Sequence, residues 1–322
     1  MKRQHLILVG VLVLQILLTL FVFWPRPAEV GAGEALFPDL DPELIVSLSI
    51  VDDQRGRIEL RRIDDEWVLP EAGNYPAKSS TIDPVLQALA ALDTSTLVAR
   101  TEASRERLQV AEDDFIRRLI FEQEDGSGRI LYLGTSPRYS AVHVRRDGQD
   151  EIYLTDRLSA WTLDTAAASW VDTTYFMVPP DEVLEIEVRN EQGSITLLRD
   201  GEGAAAGWTL KGLEEAETLA ANEVATLASR ATAVNLLRPL GKAEQGEYGM
   251  DEPAAVITLR TADEAFILTV GAHDPDRGSY VVKSSTSPYY VTVSEANVQP
   301  LVESAREVLL QAETTPAPTL LP

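Results

Sequence analysis

The chain repeats itself, and the repeat limits the folds open to it more than any other feature. VSLSIVDDQRGRIELRRIDDEWVL (residues 46–69) resembles VLEIEVRNEQGSITLLRDGEGAAAGWTL (residues 183–210). Val46 maps to Val183 and Gly56 to Gly193, each 137 residues on. Gly134 of ILYLG maps to Gly271 of ILTVG, and Tyr153 to Tyr290, at the same spacing. Trp67 and Trp208 stand 141 apart because the second copy carries a longer Gly/Ala hairpin. A spacing held at separate places marks two structural units, read here as 41–157 and 181–303.

Each unit has the pattern of a sheet with a helix. Leu48, Ile50, Ile58 and Leu60 alternate about DDQRG and predict a β-hairpin, with a third strand at Trp67 and Leu69. Asp83-Pro84 reads as a helix N-cap followed by Pro at the first helical position. Ile82, Val85, Leu86, Leu89 and Leu92 then make one apolar stripe. Strands are expected at 115–121, 130–133, 141–144 and 151–154. The second unit repeats them at 255–259, 266–270, 280–282 and 289–293, with its helix near 222–231. Connections this short favour antiparallel pairing. Between the units, 158–180 holds Trp161, Trp170, Tyr175, Phe176 and Met177. It is too apolar for a free linker and is expected to pack as a connector.

Ahead of the units lies an apolar run, 6–24, from Leu6 through Gln15 to Trp24. At about 1.5 Å per residue it would span roughly 28 Å, a bilayer core. Trp24 falls at interfacial depth, and Pro25 and Pro27 end the helix. The rival reading is a cleaved signal peptide, whose apolar region is about 7–15 residues. Lys2 and Arg3 precede the run and Arg26 follows it, which favours 1–5 in the cytoplasm and the rest outside. The expectation is a single-pass protein of the cell membrane, held in lipid by this helix. Gln15 could bond a partner helix or face lipid. Residues 25–40 read as a linker, and 304–322 as a helix end with a disordered Pro-rich tail. The expected fold class is thus α+β: an N-terminal transmembrane helix, then two tandem, mainly antiparallel sheet-plus-helix repeats.

Charge removes several functions. The chain has 28 Lys and Arg against 51 Asp and Glu, a net charge of −23, so nucleic acid is not an expected partner. With no cysteine there is no disulfide, zinc–thiolate site or catalytic thiol.

The resemblance to a known family rests on particular residues. YGMDEPAAVITL, with Tyr248, Gly249 and Pro253, resembles a Tyr-Gly-Leu-Asp-x-Pro turn and strand in the family of domain of unknown function 4340. ILTVG and GSYVVKSSTSPYYVTV, with Gly271 and Tyr280, resemble its closing elements. Trp67, in WVLPEAGNYPAKSSTIDPVLQALAALDTSTLV, resembles its Trp strand, and SWVDTTYFMV its joining segment. Copy one has LQVAEDD where the Tyr-Gly-Leu turn belongs, so a different turn is expected there. The resemblance implies membrane anchoring and association with ABC-type transport systems, including those of gliding motility. It implies no catalytic residue. Trp67, Gly134, Trp208, Tyr248, Gly249, Pro253, Gly271 and Tyr280 are read as structural.

Little else points to chemistry. His5, His143 and His273 do not align between copies, and no metalloprotease, phosphate-loop or nucleophile-elbow pattern occurs. Asp274 and Asp276 before Gly278 could open a calcium loop, but turn chemistry accounts for them as well. The acidic clusters at 52–53, 64–66, 112–114 and 214–215 sit at predicted turns and read as solvated surface. No catalytic, cofactor or metal site is expected. The favoured function is a binding or scaffold module for another envelope or transporter protein. An envelope carboxylate hydrolase and a solute-binding sensor are the alternatives.

Overall fold

The computed structural model describes residue 15 and residues 33–201 and 207–311. The run 6–24, apart from Gln15, lies outside the described residues, as does the tail from 312 onward. Gln15 is helical and exposed.

The first sheet is built from β1 (Ile45–Asp52), β2 (Arg57–Ile63), β3 (Glu66–Leu69), β4 (Tyr75–Pro76), β5 (Leu97–Ala99), β6 (Arg117–Gln123), β7 (Gly128–Leu133), β8 (Val142–Arg146) and β9 (Ile152–Thr155). Helices α1 (Ser79–Ala90) and α2 (Glu102–Arg107) flank β5. Two short strands, β10 (Thr174–Met177) and β14 (Ala233–Asn235), pair with each other. The second sheet contains β11 (Glu185–Asn190), β12 (Gly193–Asp200), β13 (Gly207–Leu210), β15 (Arg238–Gly241), β16 (Ala255–Arg260), β17 (Ala265–Asp274), β18 (Ser279–Ser284) and β19 (Tyr290–Ser294). Helix α3 (Ala221–Thr232) follows β13, and α4 (Glu295–Val302) follows β19.

The first sheet runs β4-β3-β2-β1-β6-β7-β8-β9-β5 and the second β13-β12-β11-β16-β17-β18-β19-β15. Beyond β4, the two orders are the same, strand for strand. Register refines the spacing between them. Leu48 faces Leu60 and Phe121, as Ile186 faces Leu197 and Leu259. Val144 faces Tyr153, as Val282 faces Val291. The spacing is therefore 138 in β1, β6, β8 and β9, and 137 in β2 and β7. Tyr153 corresponds to Val291, not to Tyr290.

The expected fold class is corrected here. The described residues form mostly antiparallel sheet with few and short helices. No helix among them is long and apolar enough to cross a membrane, so the structure does not support a transmembrane helix as part of the fold. The balance shifts toward sheet because the sequence reading missed the edge strands β4, β5 and β15 and the β10–β14 pair. These are too short to show a period of two.

Helix α1 also starts earlier than Asp83. Its N-cap is Lys78, and Pro84 lies inside it. The stripe Ile82, Val85, Leu86 and Leu89 is buried as expected. Helix α1 therefore keeps its packing while Pro84 gives up one backbone bond near the exposed first turn. The stretch read as a spacer is partly core: Leu36 and Phe37 are buried. The Leu36 N–H donates to the Leu92 carbonyl at 2.8 Å. Phe37 meets Phe121 edge-on at 5.3 Å. In the connector, Trp170, Tyr175 and Phe176 are buried, but Trp161 is 88% exposed and Met177 64%. Buried residues of both sheets and the connector form one contiguous apolar cluster.

Candidate functional site

The two tryptophans at equivalent places show how the local structure is held. Trp67 on β3 is buried, and Arg62 on β2 lies over its ring at 5.1 Å. Arg199 on β12 lies over Trp208 on β13 at 4.6 Å. Each arginine also donates to a carbonyl ahead of the first strand of its sheet, Arg62 to Glu43 at 2.6 Å and Arg199 to Pro180. The guanidinium thus ties three neighbouring segments together, with its flat face on indole and its edge on a carbonyl. Sequence reading found the tryptophans and missed Arg62 and Arg199, although those two stand 137 apart.

The glycines behave alike. A side chain on Gly134 would run into the Leu108 carbonyl, and one on Gly271 into the Tyr248 carbonyl. Gly249 has φ of 66°, and Gln109 has φ of 54° in the matching turn. The turn of copy one is thus built differently in its approach, through α2 (Glu102–Arg107) where copy two has a three-residue 3-10 turn (Gly246–Tyr248), but it ends on the same left-handed residue. The close approach of Gly134 forces the same left-handed residue, without a glycine to supply it. Gln109→Gly is expected to raise unfolding free energy by up to about 1 kcal/mol, measured by denaturant titration. Tyr248 is buried and tilts against Tyr290 at 5.3 Å. Pro253 precedes β16.

The calcium reading gains no ligands. Asp274 is engaged by Arg277, at 3.0 Å between side chains. Among the described residues no group of three or more His, Cys, Asp or Glu is placed to hold a metal. His273 stacks on Tyr280 at 4.3 Å and approaches Glu295 at 3.4 Å, while His143 Nδ1 lies 2.7 Å from the Thr135 carbonyl. Asp64 and Asp65 both have positive φ and form the tight β2–β3 turn, which explains that acidic pair.

The two sheets meet at a polar and aromatic joint. Tyr289 donates to the Asn74 carbonyl at 2.7 Å, and its ring meets Tyr75 edge-on at 4.7 Å. Tyr175 donates to the Tyr289 carbonyl at 2.6 Å and accepts from the Ser284 N–H at 2.9 Å. Burial, reinforced by Tyr175, Asp172 and Tyr289, pushes the Tyr75 phenol up to about 12. At the end of β1, Asp52 accepts from Thr165 at 2.6 Å, and at the end of β11 Asn190 donates to the Ser304 carbonyl at 2.9 Å. Each sheet is thus pinned to the segment that follows its last strand.

Asp52 titrates below the usual carboxylate range. Burial acts against this, but the Thr165 hydroxyl and the Gly56 and Gln54 N–H groups outweigh it. A lowered carboxylate stabilises the fold above its unfolded pKa, about 3.9, and that stabilisation is lost as pH falls through the lower folded value. Thr165→Val is expected to cost about 1 kcal/mol at neutral pH and to flatten the loss of stability below pH about 4, read by melting across pH.

Beside the joint, β15 sits between two cavities. One, of about 460 Å³, is lined by Arg238, Glu247, Tyr248, His273, Val281 and Thr292 among others. The other, of about 480 Å³, lies between the sheets and is lined by Ile58, Glu59, Leu69, Glu71, Pro239 and Leu240 among others. Leu237, Arg238 and Leu240 border both. Of the second cavity's two carboxylates, Glu59 is held by Arg57 at 3.1 Å and Arg61 at 3.0 Å, whereas Glu71 makes no ion pair among the described residues. The groove escaped sequence reading, although the Pro239 in LLRPLG is a signature of an edge strand.

The fold and this groove define an antiparallel two-sheet protein whose second sheet ends on a cavity-flanked edge strand. The family described as Domain of unknown function (DUF4340) matches residues 67–245, over half of the chain, and the chain belongs to it. The single match takes in Trp67, Gly134 and Trp208 and stops short of Tyr248, Gly249, Pro253, Gly271 and Tyr280. No curated protein and no solved structure matches this chain.

Proposed function

We propose that this chain is a binding and scaffold protein of the cell envelope, built from two tandem DUF4340 units, that seats a protein of an ABC-type transport system. The observation that carries the reading is β15, an edge strand with a cavity on either side. The joint through Tyr75, Tyr175 and Tyr289 supports it by fixing the walls of the groove relative to each other. The shared strand order and the repeated Arg–Trp clamp support the tandem arrangement. The partner class follows from the motif resemblance. Crosslinking in intact cells, then affinity purification in mild detergent, is expected to recover a transport permease. Repeated recovery of the chain alone overturns the proposal.

A second reading is a solute sensor, because a cavity of about 460 Å³ is of small-molecule size. A thermal-shift screen that raises Tm with a small solute, together with no protein captured, would favour it.

A further inference from the structure

The first sheet ends on β5, and apart from β9 no strand pairs with it among the described residues. Its Leu97 and Val98 are 44% and 42% exposed. The Leu154 N–H of β9 donates to the Thr96 carbonyl at 2.9 Å, so Thr96 turns its backbone groups toward β9. Alternation then turns those of Leu97 to the open side. The matching strand of the second sheet is β15, since Pro239 faces Val291 as Leu97 faces Tyr153. There the chain's own backbone comes close: a side chain on Gly241 would lie 3.6 Å from the carbonyl carbon of Ala72. On β5 two apolar side chains stand open instead.

The chain itself leads to this edge. Just ahead of β5, Ala35 pairs antiparallel with Asp93. The Thr94 N–H donates to the Glu34 carbonyl at 2.9 Å and the Leu36 N–H to the Leu92 carbonyl at 2.8 Å, one bond on each side of that pair. In an antiparallel ladder a step back along one segment is a step forward along the other. The chain before Ala35 therefore heads from Asp93 toward Leu97. Gly33 keeps to that course, because a side chain on it would run into the Ser95 amide. At the same count Gly31 comes opposite Leu97, and Val30 opposite Val98. The Ser95 N–H donates to the Asp93 carboxylate at 2.9 Å, and this bend leaves room for a shift of one residue. Residues 28–32, AEVGA, lie outside the described residues. They offer one β-branched side chain among small ones, after a proline that cannot extend a ladder.

We propose that residues 28–32 join β5 as a tenth strand of the nine-stranded first sheet, with Val30 against the exposed Leu97–Val98 pair. A strand so placed shields the edge from pairing with other chains. It also makes the stretch ahead of the first unit a fixed connection instead of a free spacer. This stands apart from the binding-protein reading, and neither depends on the other.

The chain has no cysteine, so introduced pairs report the contact directly. In the full chain, Val98→Cys is combined in turn with Ala28→Cys, Glu29→Cys, Val30→Cys, Gly31→Cys and Ala32→Cys. Under mild oxidation the internal disulfide is expected to form at least tenfold faster at alternate positions than at those between, with the peak within one residue of Val30. Amide exchange at Leu97 is expected to be slow, and Val30→Pro with Gly31→Pro to speed it at least tenfold while the far-ultraviolet circular dichroism stays that of the parent. Equal rates along the scan, or a smooth fall, mark a free tether and overturn the proposal. Disulfides between chains in Val98→Cys alone place a second copy on the edge and overturn it too.

Discussion

Trp170→Ala is expected to lower the unfolding free energy by about 3–5 kcal/mol. Trp170 is 0% exposed, and its indole N–H donates to the Asp164 carbonyl at 2.8 Å. Its own carbonyl accepts from the Lys78 N–H at 2.7 Å, at the start of α1. Truncation leaves a cavity and an unpaired carbonyl between helix and connector. Denaturant titration followed by far-ultraviolet circular dichroism measures the change. Trp161→Ala is the control: that ring stands in solvent, and its loss is expected to cost less than about 0.5 kcal/mol. Equal costs would refute the placement of the connector.

Gly134→Ala and Gly271→Ala are each expected to cost about 2–4 kcal/mol. In both cases the added methyl group meets a backbone carbonyl oxygen, of Leu108 or of Tyr248. A carbonyl in a turn cannot rotate away as a flexible side chain would. The strand would have to lift from the turn, breaking bonds such as Gly134 N–H to the His143 carbonyl at 2.9 Å. Gly128→Ala supplies the comparison, because a methyl group there meets nothing within 4 Å. It is expected to stay within about 0.5 kcal/mol of the parent. The two costly substitutions also test the likeness of the two turns: a large effect at one glycine only would break it.

The same two turns show how much the sequence carried. Tyr248-Gly249 announces a left-handed residue, because glycine adopts that conformation without strain. Leu108-Gln109 does not announce it, yet the φ of Gln109, 54°, is left-handed like the 66° of Gly249. What imposes it is Gly134, 25 positions later, whose lack of a side chain lets the two segments meet. A contact between distant segments leaves no local pattern, so one end of it was legible and the other was not. Trp67 and Trp208 were found by their identity, while Arg62 and Arg199 needed the register that lays each over its indole.

The sequence by itself determined the long strands, the helices over Ile82–Leu89 and Val224–Ala231, the charge of the surface and the recurrence of Trp67, Gly134 and their counterparts. Each of these is written in side chains a few positions apart, at the period of a strand or helix. Tertiary structure alone decided that Leu36 and Phe37 belong to the core, that Trp161 does not, and that the spacing slips from 137 to 138. It also decided that β15 ends a sheet between two cavities. These depend on which segments lie beside one another once the chain has closed, and burial of apolar surface from both sheets at once settles that.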